Sequence, residues 1–106
     1  MNPPLKISGQ RLMANLLAQG RIGWVEGRGL RREAYTPAYL EARDFTQACM
    51  EKAGLITRID SVGNLFGLLP GSDPLAPRLL IGSHLDSVLD GGIYDGAYGV
   101  FAAIEA

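Results

Sequence analysis

The stretch LLIGSHLDSVLDGGIYDGAYGV, Leu79 to Val100, constrains this chain more than any other. An apolar run, Leu79–Ser83, leads into a turn region that, counted from Gly82, holds five of the fourteen glycines: Gly82, Gly91, Gly92, Gly96 and Gly99. Glycine at that density marks backbone conformations or close approaches that a side chain would forbid. A continuous apolar run is what a strand buried on both faces of a sheet looks like. The only histidine, His84, and the carboxylates Asp86 and Asp95 lie in the same stretch. The pattern predicts a strand over 79–83, a glycine-lined return, and a helix from about Ala97. Open α/β sheets place their ligands at the carboxyl ends of such strands.

The rest of the chain reads as helices alternating with strands, which argues for an α/β layer. Ile7–Leu17 is predicted as a first helix, with Ser8 as its cap and Leu12, Leu16 and Ala18 near one face. Gly20 to Tyr35 is a long loop rich in glycine and arginine. Thr36–Lys52 is the clearest helix. Thr36 suits the N-cap and Pro37 the first turn, while Ala38, Ala42, Phe45 and Cys49 form one stripe. Gly54 supplies a left-handed stop. Strands are predicted at Leu55–Ile59, Asn64–Leu69 and Leu79–Ser83, the last central and covered by the Ala42, Phe45 and Cys49 face. Asp60, Asp73 and Asp90 read as turn or loop residues.

Length and composition bound the function. With 106 residues, 47% hydrophobic and 20% charged, the chain fits one folded domain. A net charge of −1 gives no pull toward nucleic acid or an anionic membrane. Lys6, Arg11, Arg21, Arg28, Arg31 and Arg32 form a mild basic excess that reads as solvated surface. Cys49 is the only cysteine and belongs to a buried helix face, so no internal disulfide forms. The N-terminus lacks a signal-peptide core and no run approaches the roughly 20 apolar residues of a membrane span. The expected location is cytoplasmic.

The candidate site follows from geometry. Residues two apart in an extended segment face the same way, so His84 and Asp86 share one cleft while Leu85 turns to the core. Imidazole and carboxylate are ligands that zinc or manganese accepts. Asp86 suits the role of accepting the other ring N–H of a metal-bound His84. Asp95 stands just before the last helix, where backbone N–H groups can help hold it, and its two oxygens could bridge two ions. The expectation is that His84 and Asp95 converge, with Asp86 close to the ring.

At these residues the chain resembles a known family. GSHLDSVLDGGIYDGAYGV is similar to the first metal-binding segment of the M20-type metallopeptidase superfamily. Within it, the chain resembles the amidase, hydantoinase and carbamoylase branch, which includes N-carbamoyl-L-amino-acid hydrolases, bacterial β-ureidopropionases and allantoate amidohydrolases. GLRREAYTP and AGLITRIDSVGNLFGLLPG extend the resemblance. Ser87 stands where threonine is commoner. The resemblance implies the N-terminal part, residues 1–106, of a zinc-exopeptidase-like (phosphorylase/hydrolase-like) α/β catalytic domain. It implies His84 as a ligand of one metal, Asp95 as a bridging ligand and Asp86 as the catalytic aspartate supporting the histidine. Two divalent ions (Zn, Mn, Co or Ni) are the implied cofactors. A small N-carbamoyl amino acid or ureide is the implied substrate, and full-length members are expected to be homodimers. In the family a metal-activated water attacks a carbamoyl or amide carbon while a glutamate takes its proton.

Glu105 lies too close to Asp95 to be that glutamate, and further ligands and a lid or dimerisation domain are not recognisable in the sequence. The expectation is therefore a truncated hydrolase of linear amides or ureido compounds, inactive alone. Two alternatives stay open: an aminopeptidase or deacylase of the same superfamily, and a non-catalytic remnant or structural module.

Overall fold

A computed structural model describes residues 3–106. Helix α1 spans Gly9–Gln19, and the Ser8 hydroxyl accepts from the Arg11 N–H at 3.2 Å as its cap. Strands β1 (Trp24–Val25) and β2 (Gly29–Leu30) form a small antiparallel hairpin inside the stretch expected to be loop. Helix α2 spans Pro37–Lys52, capped by Thr36 with proline in the first turn. Gly54 follows with φ +91°, a conformation that L side chains resist. Strands β3 (Ile56–Ile59) and β4 (Leu65–Leu68) pair antiparallel, Ile56 opposite Leu68 and Ile59 opposite Leu65. Helix α3 spans Ala97–Glu105.

The core joins α1 to α3. Leu12 and Leu16 pack with Ala97, Val100 and Phe101, and Phe45, Cys49, Leu85 and Ile104 close around them. Phe45 and Phe101 stack at a tilt, with centroids 6.1 Å apart. Cys49 is half-buried, and burial pushes its thiol pKa up, opposed by the charge of Lys52. Glu105, at the far end of α3, accepts from the Ser8 N–H at 2.7 Å and from Arg11 at 2.9 Å, clasping the two helices together. No helix of the described residues is long and apolar enough to cross a membrane.

One strand expectation fails. Leu79–Ser83 is not a paired strand, and Leu79, Leu80 and Ile81 are 89%, 82% and 61% exposed. A strand exists through backbone bonds to a neighbour, and among the described residues β1 pairs with β2 and β3 with β4, Leu30 of β2 adding a single bridge to Gly91 and none to 79–83. The class is α/β, built from two small antiparallel sheets rather than one sheet centred on 79–83. Helix α2 accordingly packs on β3 and β4 and on the other helices. The radius of gyration, 14.9 Å, exceeds the roughly 13 Å of a compact domain this size, as the open segment requires.

Candidate metal centre

The site has two arms. The first runs through His84, Leu85, Asp86 and Ser87. Leu85 turns inward against the core, leaving His84 and Asp86 facing out together as the alternation requires. Arg32, counted among surface charges in the sequence reading, is instead fully buried beneath this arm. Its Nε donates to the Leu85 carbonyl at 2.9 Å. Its backbone N–H donates to the Ser87 hydroxyl at 3.0 Å, and the Ser87 N–H returns to the Arg32 carbonyl at 3.1 Å. Burial lowers the Arg32 pKa, opposed by the nearby charge of Asp86.

The second arm is the turn Asp95–Gly96–Ala97 at the start of α3. The Ala97 N–H donates to the Asp95 carbonyl at 2.8 Å, and Gly96 has φ +71° and ψ −52°. That is a γ-turn of the rare, strained hand, which only glycine adopts readily. A Cβ on Gly96 would lie 2.6 Å from His84 Nε2 and closer still to its Cε1 and Nδ1. The imidazole thus occupies the space that a side chain at 96 would need. One turn on, a Cβ at Gly99 would meet the Ser83 Cβ at 2.8 Å. The glycines at 96 and 99 let the two arms touch.

The arms bring the three predicted residues together. His84 Nε2 lies 3.6 Å from Asp95 Oδ2, and His84 Nδ1 lies 3.5 Å from Asp86 Oδ1. Nδ1 is nearer the Asp86 backbone carbonyl, at 3.1 Å. Its hydrogen bond to that carbonyl requires the proton on Nδ1, which in the neutral ring leaves the Nε2 lone pair facing Asp95. Two details depart from expectation. The main-chain carbonyl of Asp86, more than its carboxylate, fixes the ring. Asp95 receives no capping bond from α3, and its carboxylate is 84% exposed.

The donor set fits part of a divalent metal's shell. Two donors about 2.1 Å from one ion, at a near-tetrahedral angle, stand about 3.4 Å apart. The observed 3.6 Å matches that spacing. Among the described residues no group of three or more His, Cys, Asp and Glu side chains gathers to complete it. Three other aspartates are occupied in turns or pairs. Asp60 accepts from Val62 and Asn64, Asp73 from the Leu75 N–H, and Asp90 pairs with Arg31 at 2.9 Å.

The sequence reading missed Arg32 and Gln19. Gln19 is buried at the end of α1 and donates to the Ile93 carbonyl at 2.7 Å. Its position continues the Leu12, Leu16 stripe at helical spacing, so a polar residue on an apolar face was the available signal. For Arg32 there was none, because a loop has no period to separate it from exposed Arg28 or half-buried Arg31.

No family model matches the sequence. It is 40% identical over 99 residues to an N-carbamoyl-L-amino acid amidohydrolase of Geobacillus stearothermophilus, covering 93% of this chain and 24% of that protein. It is 45% identical over 78 residues to an allantoate amidohydrolase of Bacillus subtilis, covering 74% of this chain and 19% of that one. The crystal structure of a hydantoinase/carbamoylase family amidase from Burkholderia ambifaria superimposes with a TM-score of 0.91 at 42% identity, covering 97% of this chain and 25% of that one. The chain thus spans about a quarter or less of the length of these relatives. By sequence and by fold it is a homologue of the hydantoinase/carbamoylase family amidases, corresponding to their N-terminal portion.

Proposed function

We propose that this chain carries the first part of the metal platform of an amidohydrolase. Its substrates would be linear C–N bonds of the N-carbamoyl amino acid or allantoate type. The observation that carries the reading is the 3.6 Å approach of His84 Nε2 to Asp95 Oδ2 over Gly96. The names of the relatives supply the substrate class.

In this reading His84, through Nε2, and Asp95 would hold a divalent ion of the zinc, manganese, cobalt or nickel type, and Asp95, exposed to solvent, would be the residue shared with a second ion. Such an ion supplies Lewis-acid polarisation of the scissile carbonyl and a more acidic water. The chain's own residues orient. Asp86 fixes the imidazole through its carbonyl at Nδ1, and its carboxylate at 3.5 Å favours the charge that ligation places on the ring. Glu105 is engaged by Arg11 and Ser8, so it does not serve as the proton-accepting glutamate. The remaining ligands and the base come from outside residues 3–106, and the 106-residue chain alone is expected to give no turnover.

Two experiments test this. Calorimetric titration with Zn²⁺ or Mn²⁺ should show weak binding that His84→Ala and Asp95→Asn each abolish; unchanged binding by either variant refutes the ligand assignment. A chimera in which this chain replaces the matching quarter of the Geobacillus relative should release ammonia from an N-carbamoyl amino acid. A folded, metal-loaded chimera that hydrolyses neither this nor allantoate refutes the substrate reading.

A further inference from the structure

We propose that the buried pair Arg32–Gln19 is a clamp that sets the spacing between His84 and Asp95, each acting as a positioning residue. The proposal rests on the metal-platform reading above and deepens it.

Both side chains are fully buried and hydrogen-bonded to each other, Arg32 Nη2 donating to Gln19 Oε1. From that shared bond each reaches a different arm. Arg32 Nε holds the carbonyl of Leu85, the residue between His84 and Asp86. Gln19 Nε2 holds the carbonyl of Ile93, two residues before Asp95, at 2.7 Å. The far end of the guanidinium is fixed as well, Nη1 donating to the carbonyls of Gln19 at 2.7 Å and Ile22 at 3.3 Å. The amide is likewise anchored on the Leu16 carbonyl at 2.9 Å.

A buried charge is poor evidence for a stabilising role, because apolar replacements of similar volume often do as well. The placement of the acceptors is the argument. A planar fork with five fixed donors can hold several carbonyls at set angles, which an apolar side chain or an ammonium cannot. Here the fork and the amide join, from beneath, two loops that also meet where the His84 ring lies on Gly96 and Ser83 on Gly99. The separation of two metal donors is thereby determined from beneath, by groups that touch neither donor.

The test uses the 106-residue chain and Zn²⁺ alone. Gln19→Glu keeps an acceptor for Arg32 but cannot donate to Ile93, so it releases the second arm. Arg32→Lys keeps the charge but loses the fork, releasing the first. Folding is followed by circular dichroism. The spacing is read by the nuclear Overhauser effect between the His84 ring protons and the Gly96 Hα, which needs no metal. Folded variants should show a weakened cross-peak and a Zn²⁺ Kd raised about 10–100-fold, the usual effect of losing a ligand's supporting partner. Folded variants that keep both the cross-peak and the Kd overturn the clamp. If neither variant folds, the unmodified chain decides. Slowly exchanging Arg32 Nε–H and Gln19 Nε2 protons with cross-peaks to Leu85 and Ile93 support the clamp, and rapid exchange of both overturns it. If the unmodified chain takes up no Zn²⁺, the metal-platform reading falls, and the cross-peak alone decides the clamp.

Discussion

Gly96→Ala separates the site from the rest of the fold. Two costs follow from the structure. The backbone at φ +71° and ψ −52° is strained for any L side chain, at about 1–3 kcal/mol. In a domain of about 100 residues each kcal/mol lowers Tm by about 4–8 °C, so the melting temperature should fall by about 4–24 °C. The second cost is steric. The new Cβ would stand 2.6 Å from His84 Nε2, about 0.8 Å inside ordinary van der Waals contact, and nearer to other ring atoms. The ring must shift by about 1 Å or more. Two donors, each about 2.1 Å from one ion, span at most about 4.2 Å. Opening the 3.6 Å pair by about 1 Å exceeds that span, so Zn²⁺ uptake should be lost. The control is Gly92→Ala, in the same loop, where an added Cβ meets nothing within 4 Å and φ is not positive. Thermal melts and calorimetric Zn²⁺ titrations of both variants are the assay. If Gly96→Ala melts and binds as Gly92→Ala does, the cradle argument is wrong.

Two further predictions concern the scaffold. Thr36→Ala removes the hydroxyl that accepts from the Tyr39 N–H at 3.3 Å and should cost about 1 kcal/mol, lowering Tm by about 4–8 °C; an unchanged melt would show that the cap is replaced. Glu105 is held below the usual carboxylate pKa, first by its hydrogen bond from Arg11 and then by the Ser8 N–H. A depressed folded-state pKa means stabilisation present above about pH 4.5 and lost as pH falls through the lowered value. Glu105→Gln should therefore reduce stability at neutral pH and flatten the acid limb of a stability–pH curve, and an acid limb as steep as the unmodified chain's would contradict the clasp.

Local physics made much of this protein legible. Thr36 and Pro37 mark the start of α2 and Gly54 its end, because caps and stops depend on a residue and its immediate neighbours. The His84, Asp86 and Asp95 constellation was readable for a similar reason. Alternation along an extended segment fixes which side chains share a side, and glycine density shows where backbones must come close. Tertiary structure decided three things that no local rule reaches. Whether Leu79–Ser83 becomes a strand depends on a neighbour to bond with, not on its own apolar run. Whether Asp95 is capped by α3 depends on the direction its carboxylate takes from the γ-turn, and it points away to solvent. Which arginine of a loop is buried depends on where Gln19, Leu85 and Ser87 meet in space, and those residues lie up to 68 positions apart in sequence. Sequence specifies what each residue prefers, whereas burial and partnership belong to the assembled chain, where a charge such as that of Arg32 is tolerated only if distant carbonyls converge on it.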